Sequence, residues 1–201
     1  GTFTSFNVTQ RLIPGDLDCD GITDLLVVAL NQQKYVLAGD GKGGFKPKTG
    51  LLPAHIEPSM TAAIADVDKD GDNDIVVVND QAFQNRLYYN NCNNVAKGQP
   101  SSFQDASYGS GKNFPISGFN ARDVKLADIN GDGWLDVVLV NWGQSTRLYL
   151  NNGGSFLNDN GQLFPQSEAL VHSAAVDLSD VDLDGDLDML VLKYRTDGQY
   201  W

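Results

Sequence analysis

The chain has 201 residues, with 26 acidic and 14 basic side chains and a formal net charge of −12. This length suits one sizeable domain with its own core. The absence of a basic stripe argues against a nucleic-acid partner, and no apolar run reaches the roughly 18 residues of a membrane-spanning helix. No signal peptide is visible, so we expect a mature chain or an excised piece.

The first predicted elements are an outer strand within residues 1–6 and then an acidic loop. The loop reads DLDCDGITD at 16–24, and a short apolar run at 25–28 follows it directly. Short branched apolar runs of this kind predict buried strands. Further strands are predicted at 34–37 and from 43–45 onward.

The same loop recurs as DVDKDGDND at 66–74, DINGDGWLD at 128–136 and DVDLDGDLD at 180–188. Its carboxylates would repel one another without a cation, and Ca²⁺ prefers a cage of six to eight hard oxygens. Side chains at positions 1, 3, 5 and 9 and the carbonyl at position 7 would supply these oxygens, while the glycine at position 6 permits the turn. The sequence therefore predicts four calcium sites, with these ligands: Asp16, Asp18, Asp20, Ile22 and Asp24; Asp66, Asp68, Asp70, Asp72 and Asp74; Asp128, Asn130, Asp132, Trp134 and Asp136; Asp180, Asp182, Asp184, Asp186 and Asp188.

The net charge is largely explained by these loops. Their ligand positions hold most of the aspartates, so the acidity indicates metal binding rather than an acidic tail. Site three carries Asn130 where the other sites carry Asp, and one fewer negative charge predicts that it is the weakest site.

An EF-hand is the competing interpretation of the loop, and it fails on two counts. An EF-hand needs an acidic ligand at position 12, where this chain has Val27, Val77, Leu139 and Val191. It also needs a helix after the loop, whereas apolar strand-like runs follow here at 25–28, 75–78, 137–140 and 189–192.

The loops start at intervals of 50 to 62 residues, a period that indicates a propeller or solenoid array. The second repeat predicts four short strands, at 61–65, 75–78, 86–90 and around Phe103. Short strands with glycine- and asparagine-rich turns and no helical periodicity favour propeller blades. We predict a single all-β domain over 1–201, with repeats at approximately 5–50, 58–108, 120–168 and 172–201, and an inter-blade insertion around 109–117.

The acidic loop, the apolar strand after it and the segment RLYLNNG at 147–153 together resemble the FG-GAP/VCBS repeats of integrin α subunits and many secreted bacterial proteins. The resemblance covers essentially the whole chain. It implies a β-propeller whose calcium loop joins the first two strands of each blade and stiffens the face opposite the usual ligand face. Family propellers commonly have seven blades, whereas this chain encodes about four.

The two ends have complementary deficits. Residues 1–6 look like an outer strand without its blade, and the last repeat stops at 199–201, where a third strand begins. Three interpretations stay open: residues 1–6 close a four-bladed ring, they complete another copy by strand exchange, or the chain is a fragment of a longer propeller.

The two cysteines, Cys19 and Cys92, are compatible with one disulfide bond or with two free thiols. Calcium loops of modest affinity suit millimolar extracellular calcium. We therefore expect a secreted or cell-surface protein.

No recognisable catalytic motif occurs. His55 and His172 are either strand-entry residues or ligand contacts, and the two glutamates, Glu57 and Glu168, are not brought together by the sequence. Four residues are candidate sugar contacts, although Trp142 is expected more often to pack between blades: Arg122, Lys125, Trp142 and Tyr108.

We therefore expect a calcium-stabilised binding, adhesion or structural module for a protein or carbohydrate ligand rather than an enzyme, and the sequence leaves enzymatic activity open. Two alternatives are a strand-exchanged subunit of an extracellular fibre and a polysaccharide lyase or other carbohydrate-active enzyme. The fold does not decide among these functions.

Overall fold

A computed structural model of the chain describes residues 9–92, 103–107, 114, 120–158 and 172–194. These residues form strands and loops, with no helix among them, so the prediction of an all-β fold is confirmed. No helix in this part of the chain is long and apolar enough to cross a membrane. The strands are β1 Thr9–Gly15, β2 Asp24–Gln33, β3 Tyr35–Gly39, β4 Phe45–Lys48, β5 Ile56–Ala65, β6 Asp74–Asn79, β7 Arg86–Tyr89, β8 Gln104–Asp105, β9 Ala121–Ala127, β10 Asp136–Asn141, β11 Arg147–Asn152, β12 Ser155–Asn158, β13 Ser173–Ser179 and β14 Asp188–Lys193.

The strands form successive antiparallel meanders in chain order. Strands β1–β4, β5–β8 and β9–β12 each make four neighbouring strands, and β13–β14 make a two-stranded sheet. The end of β2 continues past its own meander and pairs with the start of β5, Leu30 opposite Pro58, so hydrogen bonds join the first two meanders. We call the four meanders the first to fourth sheets, in chain order. The strands predicted for the second repeat are confirmed, with boundaries shifted by a few residues.

Each acidic loop joins the first two strands of a meander in the same register. The last loop residue lies opposite the residue just before the loop: Asp24 opposite Gly15, Asp74 opposite Ala65, Asp136 opposite Ala127 and Asp188 opposite Ser179. The four loops therefore start from equivalent sheet positions, as equivalent binding sites require.

The core lies between successive sheets. Side chains alternate between the two faces of a strand, so Val76 and Val78 of β6 face the third sheet while Ile75 and Val77 face the first. The apolar runs after the first three loops are therefore buried on both faces, as their continuous hydrophobicity indicates. The first interface includes Leu26 and Val28, the second Val137 and Leu139, and the third Val138, Val140 and Val176.

The last sheet has one covered and one uncovered face. Met189 and Val191 of β14 pack against the third sheet, whereas Leu190 and Leu192 are 74% and 45% exposed. Leu190 and Leu192 occupy the positions that Val138 and Val140 occupy in the third sheet. The predicted strand within 1–6, the start of a third strand at 199–201 and all of the insertion at 109–117 except Phe114 lie outside the described residues, so ring closure, strand exchange and a longer propeller stay predictions.

A buried charge network lies at the ends of the strands away from the loops. Glu57 accepts bonds from Arg86, and Lys34 Nζ lies 3.5 Å from Glu57 Oε2. Arg86 also pairs with Asp105 at 3.1 Å. Glu57 and Lys34 are almost fully buried, so this glutamate has a structural partnership that the sequence does not reveal.

Candidate metal centre

The four acidic loops share one set of internal hydrogen bonds. The position-1 aspartate accepts a bond from the N–H of the position-6 glycine, and the position-5 aspartate accepts one from the N–H of position 7. In the first loop these bonds are Gly21 N to Asp16 Oδ2 at 3.0 Å and Ile22 N to Asp20 Oδ1 at 2.8 Å. The equivalent pairs recur at Gly71–Asp66 and Asp72–Asp70, Gly133–Asp128 and Trp134–Asp132, and Gly185–Asp180 and Asp186–Asp184.

The position-9 aspartates brace the loops against the sheet. One oxygen of Asp24 accepts the N–H of Leu17 within the loop, and the other accepts the N–H of Gly39 at the end of β3. Asp74 and Asp136 make the same two bonds, to Val67 and Asn90 and to Ile129 and Asn151, and Asp188 accepts the N–H of Val181. The sequence predicts these aspartates only as metal ligands. It does not reveal that they also hold the loop against the sheet, because the second N–H donor lies at or just after the third strand of the meander.

Burial raises the pKa of three of the position-9 aspartates. Desolvation raises the pKa of Asp74 to about 7, and the neighbouring carboxylates of Asp68 and Asp70 act in the same direction, while the two N–H donors oppose it. Burial likewise raises the pKa of Asp24 and of Asp136. A buried carboxylate beside other carboxylates is a group whose charged form a cation would stabilise.

The carboxylate oxygens converge in three loops. One oxygen from each of Asp16, Asp18 and Asp24 lies within 4.8 Å of the others, and the second and fourth loops contain the comparable groups Asp66, Asp68 and Asp70, and Asp180, Asp182 and Asp188. In the first loop, Asp16 Oδ1 and Asp18 Oδ1 are buried and have no hydrogen-bond partner. Unpaired buried acceptors cost free energy, and a hard cation such as Ca²⁺ would satisfy them, so the donor set fits calcium.

The third loop differs at Asn130. Its side-chain amide donates a 2.9 Å bond to Asp132 Oδ2, and its Oδ1 accepts the N–H of Asp132. An amide donor therefore occupies Asp132 Oδ2, one of the oxygens of the predicted ligand set. The weakness of site three stays a prediction.

The loop backbone has a second constrained position that the sequence pattern does not reveal. Besides the position-6 glycines, position 4 has positive φ in every loop: 59° at Cys19, 60° at Lys69, 74° at Gly131 and 64° at Leu183. Three of these residues are not glycine, although left-handed backbone disfavours other side chains. The loop conformation is therefore held by its internal bonds rather than by local preference.

Contacts between loops were also not predictable. Asn73 of the second loop donates to the carbonyl of Asp16 in the first at 3.0 Å. Lys69 of the second loop lies 4.2 Å from the centre of the Trp134 ring in the third. In addition, Lys48 of β4 forms an ion pair with Asp18 of the first loop at 2.5 Å. The first three loops thus form a connected surface at one end of the sheets.

The sulfur atoms of Cys19 and Cys92 are bonded. The bond ties position 4 of the first loop to the residues after β7, across the first two meanders. Of the two alternatives that the sequence left open, the structure has the disulfide.

Of the other sequence candidates, Trp142, His172 and Arg122 lie together, whereas His55 and Lys125 lie elsewhere. His55 Nδ1 lies 3.0 Å from the hydroxyl of Tyr88, and Lys125 pairs with Asp177 at 3.0 Å. Trp142 packs edge-to-face against His172, with Arg122 over its ring. Tyr108 and Glu168 lie outside the described residues.

These features define an all-β repeat protein with an acidic loop between the first two strands of each repeat. The model of the FG-GAP-like repeat matches residues 16–77 and 128–191, more than half of the chain, and the chain belongs to this family. No curated protein matches the chain.

Proposed function

We propose that the chain is a calcium-stabilised, β-propeller-like binding module of the extracellular space. The observation that carries this proposal is the fourfold recurrence of one acidic loop, with the buried Oδ1 atoms of Asp16 and Asp18 lacking any hydrogen-bond donor. The ions would be held by side chains at positions 1, 3, 5 and 9 and by the carbonyls of Ile22, Asp72, Trp134 and Asp186. Bound calcium neutralises clustered carboxylates and so stabilises the loop conformation.

The propeller arrangement is supported by how neighbouring sheets pack. The first strands of successive meanders contact one another, β1 with β5, β5 with β9 and β9 with β13. Each meander also packs its faces against the neighbouring meanders. Blades arranged around an axis have both properties.

An extracellular location is supported by the disulfide between Cys19 and Cys92, because such bonds persist in oxidising compartments. Calcium sites of modest affinity would also be filled at the millimolar calcium found there.

A thermal melt in millimolar calcium and in EDTA tests the proposal, with calorimetric titration giving the number of sites. We expect EDTA to lower the melting temperature strongly, since calcium well above its dissociation constant stabilises each site by a few kcal/mol. Equal melting temperatures in the two buffers would refute the calcium role.

A matched pair of variants connects the effect to the loops. Asp20 and Asp40 are both exposed and both accept the N–H two residues ahead, but Asp40 lies outside the predicted ligand set. We expect Asp20→Asn to reduce the calcium-induced rise in melting temperature and Asp40→Asn to leave it unchanged.

Assembly through the last sheet is a second candidate function. The exposed face of Leu190 and Leu192 occupies the position that neighbouring sheets bury elsewhere, and exposed apolar patches mark interaction surfaces. Light scattering after size exclusion in millimolar calcium would distinguish a binding module that acts alone from one that assembles. A mass near 21.8 kDa favours the isolated module, and concentration-dependent larger species favour assembly.

A further inference from the structure

A cavity of about 360 Å³ lies between the four sheets, at the ends of the strands away from the acidic loops. Its volume falls within the range of small-molecule sites, about 300–1,000 Å³. It is built from the first strands of all four meanders and from residues beside them: Gln10, Arg11, Met60, Arg122, Trp142, Ala174 and Tyr194.

The cavity is lined by two arginines in a chain whose net charge is −12. Arg122 is held in place by an ion pair between its Nη1 and Asp80 Oδ2 at 2.6 Å. A guanidinium carries five N–H donors in a rigid fork, so this pair leaves donors for a second acceptor. Arg11 is exposed, and its Nη1 donates to the carbonyl of Gln10 at 3.3 Å.

Aromatic rings lie beside the guanidinium group of Arg122. Trp142 packs edge-to-face against Tyr194 with ring centres 4.9 Å apart, and against His172 at 5.1 Å. The guanidinium carbon of Arg122 lies 5.9 Å from the centre of the Trp142 ring. These contacts fix the indole, so the cavity combines an aromatic wall with one fixed guanidinium, that of Arg122, and one exposed guanidinium, that of Arg11.

We propose that this cavity binds a carboxylated sugar, a hexuronic acid residue, with its carboxylate on Arg11 and Arg122 and its ring against Trp142 and Tyr194. The proposal rests on the proposed function as a binding module and names its ligand class. Arginine forks pair with carboxylates through two parallel hydrogen bonds. The C–H face of a pyranose ring is apolar enough to cover an aromatic wall while its hydroxyls stay hydrated.

An acidic peptide is the competing ligand for a pair of arginines. Its carboxylate sits on one or two methylene groups, which would leave most of the aromatic wall uncovered. A uronic acid carries its carboxylate directly on a six-membered ring, so it can contact the arginines and the aromatic wall at the same time. The mixed lining therefore favours the sugar.

Calorimetric titration of the full chain in millimolar calcium tests the proposal, with digalacturonate as the probe. Two comparison probes are the neutral galactose disaccharide of the same linkage and a dipeptide of two glutamates. We expect digalacturonate to bind at least roughly tenfold more tightly than either, since hydrogen bonds to charged groups contribute about that factor or more. Equal affinity for the neutral disaccharide, equal affinity for the dipeptide, or no binding of digalacturonate would each overturn the proposal.

Variants locate the binding. Arg11→Gln is expected to weaken digalacturonate about tenfold or more, whereas Lys42→Gln, which removes an exposed positive charge from the turn between β3 and β4, should change nothing. Arg122→Lys retains the charge opposite Asp80 but loses the fork, and we expect it also to weaken binding. Unchanged affinity in Arg11→Gln would overturn the proposal.

The EDTA melt distinguishes this proposal from the one on which it rests. A calcium-dependent melt without digalacturonate binding would overturn only the ligand assignment. If digalacturonate binding depends on Arg11 but EDTA does not change the melting temperature, the cavity proposal is supported and the calcium role is refuted.

Discussion

The side-chain amide of Asn151 donates a 2.8 Å hydrogen bond to the main-chain carbonyl of Val67, which joins the third sheet to the acidic loop of the second repeat. The same amide donates to Leu135 of its own repeat, and Asn151 Oδ1 accepts the N–H of Gly154. Asn90 connects the second repeat to Leu17 of the first in the same way. A residue of one repeat therefore supports the loop of the preceding repeat.

Replacing Asn151 by alanine should destabilise the protein by about 2 kcal/mol or more, because buried donors and acceptors lose their partners. Denaturant unfolding in calcium measures this. Asn152→Ala is the control, since its side chain is exposed and should contribute little. Equal free energies of unfolding for the two variants would contradict a role of Asn151 in joining the repeats.

The third site is expected to gain affinity when Asn130 becomes aspartate. The change adds a negative ligand and removes the amide that now donates to Asp132, so calcium should bind this site roughly tenfold more tightly. Calorimetric titration would resolve one site with altered affinity. Asn152→Asp adds the same charge outside the loop; a similar gain there would mean that overall charge, rather than the ligand set, controls affinity.

The ion pairs of Glu57 predict a strong effect of charge removal. Glu57→Gln keeps the shape of the side chain but leaves Lys34 buried and Arg86 largely buried without this counter-charge, which should cost about 3 kcal/mol of unfolding free energy. Asp177→Asn breaks the exposed pair with Lys125 and should cost far less, because solvent screens exposed ion pairs. Denaturant unfolding of both variants, compared at one pH, measures the difference.

The disulfide between Cys19 and Cys92 closes a loop with a sequence separation of 73 residues. Restriction of the unfolded chain by a loop of this length predicts a contribution of up to about 4 kcal/mol. Replacing both cysteines by serine should therefore lower the denaturation midpoint, measured without reductant. Adding reductant should lower the denaturation midpoint of the natural chain toward that of the variant and leave the midpoint of the variant unchanged. An unchanged midpoint of the natural chain in reductant would refute this prediction.

Much of the fold could be predicted because its signals are local. The nine-residue loop pattern and the apolar run after it are contiguous in the sequence, and a two-residue alternation decides which face of a strand each side chain occupies. The positions of β2, β6, β10 and β14 and the all-β class therefore followed from the sequence. The residues proposed to hold calcium followed from the same pattern.

Only the tertiary structure decided which distant residues meet. No local pattern places Arg11, Arg122 and Trp142 around one cavity, joins Asn151 to Val67, or pairs Lys48 with Asp18, because each contact depends on how whole sheets pack against one another. The disulfide is a similar case: the sequence supplied two cysteines, and the packing of the first two meanders brought them within bonding distance. The sequence by itself thus determined the loops and strands, through short-range spacing, while long-range packing determined the contacts between repeats and the shape of the cavity.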